Sequence, residues 1–203
     1  MIRKLSIQDI DQTAVLHHKE LPGFLSQLGL GFLKKYYIAS LNIPELFTLA
    51  VKKDGQIMGF ATGSMTVGGL TKKIIFSDPV SFGVELLKYL IVSPSNIFKV
   101  LKLTAYPGFS ENNPELLSMA VSKIWQNKGI GSKLFSGICE EYKKRGVNNF
   151  KVSVYERLAA VKFYEKKGCI LHSTFDFLGE KMRYYTYRIK KSKSEIRNSK
   201  LLV

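Results

Sequence analysis

The residues best suited to chemistry by type and spacing are Gln126-Asn127-Lys128-Gly129-Ile130-Gly131-Ser132, a polar run between a compact apolar strand and an amphipathic helix. Glycines there let a ligand approach the backbone with no Cβ in the way. The helical pattern that starts at Gly129 aims unpaired N–H groups and the positive end of its dipole at the same spot. Lys123, Lys128 and Lys133 add cationic charge. The chemistry this suits is the holding of a phosphate or pyrophosphate. A tight turn that serves packing alone is the competing reading. The run is neither a dinucleotide fingerprint, which needs three glycines, nor a P-loop, which needs Gly-Lys-Ser/Thr.

Around this run the hydrophobic periodicity sets out the elements that must position it. Arg3–Ile7 reads as a first strand. Gln8–Leu21 reads as a helix stopped by Pro22-Gly23, and Leu28–Leu41 as a second helix. Phe47–Lys52 and Ile57–Val67, joined through Asp54-Gly55, form a hairpin signal. Gly68 opens a region with two amphipathic helices, Val80–Val92 and Asn96–Leu103, kept apart by Pro94. Leu116–Val121 is an apolar strand and Gly129–Lys144 a helix with Ile130, Leu134, Ile138 and Tyr142 on one side. Strand Phe150–Tyr155, helix Leu158–Lys167 and strands Cys169–Phe177 and Met182–Ile189 complete an α/β layout.

The 203 residues suffice for one domain, expected over residues 1–190, with 191–203 as a basic, disordered tail. Hydrophobic residues make up 45% and charged residues 23%, an ordinary globular composition. No stretch reaches the ~18 to 20 apolar residues of a membrane helix. The opening Met1-Ile2-Arg3-Lys4 lacks a signal-peptide core, and Cys139 and Cys169 do not make a disulfide or metal framework. A cytoplasmic location with no metal is therefore expected. The net charge of +15 invites nucleic acid or anionic membrane as partners, yet +5 of it sits between Arg188 and Lys200 and much of the rest is scattered lysine. Attraction of an anionic small ligand is the preferred functional use of that charge.

The stretch Glu115–Gly168 resembles the GNAT superfamily of N-acetyltransferases. The strand Leu117-Ser118-Met119-Ala120-Val121 leads into Gln126-x-x-Gly129-x-Gly131. Downstream, Ala160-Val161-Lys162-Phe163-Tyr164-Glu165-Lys166-Lys167-Gly168 matches the family's Ala-x-x-x-Tyr-Glu-Lys-x-Gly. The front end, His17-His18-Lys19-Glu20-Leu21-Pro22-Gly23-Phe24, is more loosely similar to bacterial members that acetylate amino sugars for surface polysaccharides.

The resemblance implies a central mixed, twisted sheet of about seven strands flanked by helices, with residues 68–110 as a helical insertion between strands 3 and 4. It implies acetyl-CoA as acyl donor, with the pyrophosphate on the backbone of Gln126, Asn127, Lys128, Gly129, Ile130, Gly131 and Ser132. The pantetheine arm would lie along Met119, Ala120 and Val121, and the Met119 N–H would face the thioester oxygen. Tyr164 matches the tyrosine that protonates the departing thiolate, and Phe163 beside it is expected in the core. Glu115 is the leading base for the amine proton. Glu20, His17, His18 and a relayed water remain open. Many relatives have an asparagine seven residues before the tyrosine; here it is Arg157, which could still approach CoA phosphates. Val152-Ser153-Val154 lacks a glutamate common in the branch that acetylates protein N-termini, which favours a small amine, such as an amino-sugar nucleotide, over a ribosomal protein. The insertion could pack on the body, cover the acceptor cleft or form a dimer face, so monomer and homodimer both stay open. Acetylation of protein N-termini or lysines, a basic RNA- or membrane-binding module and an inactive CoA-binding regulator are the alternatives.

Overall fold

The structure, a computed structural model, describes residues 1–98, 100 and 113–190. The end of the second expected insertion helix, Asn96–Leu103, the rest of the insertion to residue 110 and the basic tail 191–203 lie outside the described residues. The seven strands make up a mixed sheet flanked by helices, the α/β architecture expected. The chain divides into two units, Met1–Glu140 and Glu141–Val203.

The first unit runs β1 (Ile2–Lys4), α1 (Ile10–Glu20), α2 (Phe24–Gln27), α3 (Gly29–Asn42), β2 (Leu46–Lys53), β3 (Gln56–Ser64), α4 (Leu70–Ser77), α5 (Pro79–Val92) and β4 (Glu115–Val121), and holds the start of α6 (Ile130–Lys144). Its strands pair antiparallel in the order β1-β2-β3-β4. The hairpin turns at Asp54 and Gly55, with φ of 48° and 78°. Positive φ at both central residues suits the right-handed twist of the flanking strands, which is why Asp-Gly marks the turn in the sequence. α4 escaped the sequence reading. Gly69, left-handed at φ 71°, starts it, and Pro79 at the first turn of α5 ends the run, with the Ser81 N–H donating to Asp78 Oδ1 at 3.1 Å. The expected break at Pro94 is present as a 3-10 turn over Pro94–Asn96. The second unit runs β5 (Asn149–Tyr155), α7 (Ala160–Lys166), β6 (Ile170–Phe177) and β7 (Glu180–Arg188), ordered β5-β7-β6 and antiparallel.

In the first unit, Asp9 fastens β1 and β2 to the start of α1. Its buried carboxylate accepts from Arg3 Nη2 at 2.8 Å, Lys52 Nζ at 2.9 Å, Ser6 Oγ at 2.7 Å and the Ser6 N–H at 3.1 Å. Burial pushes its pKa up, but the bonds from Ser6, Lys52 and Arg3 outweigh this and hold it well below the usual carboxylate range. The ion therefore stabilises the fold above the unfolded carboxylate pKa, and that stability is lost as pH falls through the depressed folded value. Asp9→Asn is expected to cost about 2 to 3 kcal/mol in denaturant unfolding at pH 7, below the ~3–5 kcal/mol of a fully buried pair because Arg3 and Lys52 keep some water. The difference from the native chain should shrink in acid.

Candidate functional site

β4 carries a bulge that the sequence does not announce. Thr62 pairs with Ser118 but Gly63 pairs with Leu116, so Leu117 is an extra residue on β4. Bulges re-aim side chains and concentrate next to active sites. Simple alternation would put Glu115 on the face of Met119 and Val121. The bulge instead pairs it with Ser64 and puts it on the face of Phe60, Thr62 and Ser118.

That face is packed by α1 and α3. His17 stacks on Phe60 with ring centres 5.8 Å apart, and His17 Nδ1 is hydrogen-bonded to Tyr37 Oη at 2.7 Å. Ser118 and Thr62 lie beside the Tyr37 hydroxyl, and Thr62 Oγ1 is 3.0 Å from Thr48 Oγ1. Glu115 is buried on the same face. The sequence marks Tyr36-Tyr37 only as an apolar helix side, so the polar link from Tyr37 to β3 and β4 has no sequence signal.

The run after β4 is clamped at its entry. The Ser122 N–H donates to the Met58 carbonyl at 3.0 Å, the Lys123 N–H to Glu20 Oε1 at 3.1 Å, and Gln126 Nε2 to the Val121 carbonyl at 3.0 Å. Glu20 thus acts as a clip between α1 and this run, and the Gln126 side chain braces the strand end. Asn127 and Gly129 take positive φ, 58° and 81°. Asparagine is one of the few non-glycine residues that adopt this conformation readily. The Gln126 N–H is taken by the Lys123 carbonyl at 3.3 Å, and α6 begins its own ladder with Lys133 N–H to Gly129 C=O at 3.0 Å. Among the described residues, the N–H groups from Asn127 to Ser132 have no protein acceptor. The loop is exposed, with Lys128 Nζ 4.8 Å from the Trp125 ring centre. A row of unpaired donors at a helix N-terminus flanked by lysine is chemically fitted to phosphate oxygens.

α6 reaches this position by packing very close to the sheet. A Cβ at Gly59 on β3 would come within 2.8 Å of the Ala120 carbonyl oxygen, 3.1 Å of Leu134 Cδ1 and 3.2 Å of Ile130 Cγ2. On α6 itself, a Cβ at Gly137 would run into Ile2 Cδ1 and Leu49 Cδ1.

The rival bases on α1 are occupied. His17 is buried and its pKa is lowered to about 4 by burial and by His18 beside it, so it is neutral and a weak proton acceptor near pH 7. His18 Nδ1 donates to the Ser26 carbonyl at 3.0 Å.

The remaining expected residues belong to the second unit. Tyr164 is buried in α7, its carbonyl accepting from the Cys169 N–H at 3.0 Å. Burial, then Cys169, raises its phenol above the ordinary value of 10, which keeps it protonated. Phe163, expected in the core, is only half-buried; its ring carries Lys167 Nζ 5.5 Å away, and Tyr164 is the deeper of the two because Val161 and Tyr164, three apart, share the inward stripe. Arg157 is exposed and engaged by Glu180 at 2.5 and 3.1 Å, so a phosphate there would compete with a carboxylate.

The acetyltransferase (GNAT) family profile matches residues 16–169, and the chain belongs to that family. No curated protein sequence matches it. Among solved structures, it is similar to an acetyltransferase assigned to the GNAT family from Desulfovibrio desulfuricans, at 13% identity over 94% of this chain and 99% of that one with a TM-score of 0.63. It is similar to the ribosomal-protein-S18-alanine N-acetyltransferase from Escherichia coli, at 14% identity over 95% of each chain with a TM-score of 0.59. It is also similar to the PaiA N-acetyltransferase from Thermoplasma acidophilum in complex with coenzyme A, at 15% identity over 92% and 98% with a TM-score of 0.58. No helix among the described residues is long and apolar enough to cross a membrane.

Two outcomes test this geometry. Gly59→Ala should lower stability by about 1 to 3 kcal/mol, because the Ala120 backbone cannot swing aside as a side chain could; an unchanged denaturation midpoint would show that β3 and β4 have room to shift apart. For His17, the unfolded ring titrates at 6.5 and the folded ring at about 4. Between those values the unfolded chain binds more protons, so stability drops as pH falls, while above 6.5 there is no contribution. Unfolding curves at pH 7 and pH 5 should show the native chain losing roughly 2 kcal/mol more than His17→Gln.

Proposed function

We propose that this protein transfers an acetyl group from acetyl-CoA directly to the primary amine of a small acceptor, with an amino-sugar nucleotide as the leading candidate. The observation that carries the reading is the row of backbone donors from Asn127 to Ser132 at the head of α6. The coenzyme A bound by the Thermoplasma acidophilum relative supports the choice of donor.

Acetyl-CoA supplies a thioester whose acetyl carbon passes to nitrogen as the C–S bond breaks. The backbone from Asn127 to Ser132 holds the pyrophosphate, with Lys128 adding charge, while the Gln126 N–H stays with the Lys123 carbonyl. The strand Met119-Ala120-Val121 offers its main chain to the pantetheine arm, although the Val121 carbonyl is already bonded to Gln126. Glu115 takes the amine proton, the role left to it by a neutral, buried His17 and a Glu20 engaged by Lys123. Tyr164 gives its proton to the departing sulfur; burial keeps the phenol protonated at rest but also makes it a weaker acid, so the transfer relies on the thiolate being desolvated as well. Arg157 stays with Glu180 or exchanges it for a CoA phosphate.

The test has two arms. Thermal shift should rise with acetyl-CoA and not with RNA; the reverse result would replace the enzyme reading with a basic binding module. Thiol release should then be followed over amino-sugar nucleotides, polyamines, amino acids and peptides. Activity confined to peptides would move the acceptor to protein N-termini or lysines. Tyr164→Phe should keep acetyl-CoA binding and lower kcat about 10- to 100-fold, in the range of a general-acid contribution; unchanged turnover removes Tyr164 from the mechanism.

A further inference from the structure

α5 is seated on the first unit by one face only. Phe82 meets Phe32 edge-on with ring centres 5.1 Å apart, Tyr89 meets Phe24 at 6.1 Å, and Glu85 lies over Gly31, where a side chain would not fit. Its outer face carries Val80, Val84, Leu87 and Ile91, exposed by 76%, 47%, 59% and 71%. These four follow the alternating four-three-four spacing of a coiled-coil seam, which needs a second helix with the same pattern to fill it.

We propose that α5 packs antiparallel against α5 of a second copy of this chain across a two-fold axis that passes between Val84 and Leu87. The spacing reads the same in both directions, so the face complements itself, as an isologous interface requires. Val80 meets Ile91 of the partner subunit, and Val84 meets the partner subunit's Leu87. Lys88 is already ion-paired with Glu85 at 2.8 Å, which leaves the seam without net charge on a chain of +15. That neutrality favours a self-partner over an anionic one. A helix seated on a bilayer would carry several lysines or arginines on the face that flanks its apolar stripe, whereas α5 has Lys88 alone. The four seam side chains amount to on the order of 400 Å² of exposed apolar surface, about half of the ~800 Å² per partner of a stable interface, so the seam is the centre of the contact and not the whole of it.

Light scattering or sedimentation of the full chain decides it. The native protein should have a dimer mass at micromolar concentration, and Leu87→Glu should be monomeric with an unchanged melting curve. A native monomer at every concentration overturns the proposal and leaves the face to residues 101–112 of the same chain or to another partner. A dimer that survives Leu87→Glu places the interface elsewhere and overturns it too. Should Leu87→Glu fail to fold, a mixture of Val84→Cys and Leu87→Cys chains settles the register. Oxidation should give a disulfide-linked dimer of one chain of each kind, and its absence refutes the pairing. None of these outcomes depends on acetyl transfer.

Discussion

The close approach of α6 to the sheet is the constraint on which the phosphate cradle depends. The helix can offer its first N–H groups beside the end of β4 only if its axis lies low over β3 and the β1–β2 pair. Gly59 and Gly137 are the two places where a Cβ would crowd that approach, Gly59 against Leu134 and Ile130 of α6 and Gly137 against Ile2 and Leu49 of the sheet. The Lys123 N–H held by Glu20 and the Val121 carbonyl held by Gln126 then fix the short path between strand and helix. The N–H groups from Asn127 to Ser132 are thereby held in place, which is the preorganisation the proposed donor binding would draw on.

The bulge at Leu117 has the complementary effect on the other side of the strand. One extra residue turns Glu115 from the face of Met119 to that of Thr62 and Ser118, where α1 and α3 have built a polar patch around Tyr37. The side chains of Met119 and Glu115 thereby fall on opposite faces of one strand. A strand in strict alternation would have sent both the same way. Burial of His17 between Phe60 and Tyr37 makes it a fixed, neutral part of the core rather than a proton carrier.

Much of this was legible in the sequence because its signals are local. Asp54-Gly55 marks its turn through φ, Pro94 ends α5 through a missing N–H, and Asn127 and Gly129 mark the turn into α6 through a positive φ that few residues tolerate. What was not legible is pairwise. The bulge depends on how β4 registers against β3, and no residue in Glu115–Val121 encodes it alone. Phe163 and Tyr164 look equally apolar, and only the set of the short helix decides which is buried. α4 was missed because its eight residues follow two glycines and carry Lys72-Lys73, a weak pattern that is decided by Gly69 at one end and Asp78-Pro79 at the other.

The same distinction explains how so distant a set of structures shares this fold. Identities of 13 to 15% accompany coverage of 92 to 95% of this chain. A donor site made of main-chain N–H groups asks of the sequence only small residues at the points of close approach, tolerant residues at positive φ and an apolar stripe along α6. Side chains elsewhere are free to change as long as strand register and helix height hold. The acceptor has no such backbone code. In the proposed reading its recognition falls to side chains, while the donor site asks only for backbone geometry.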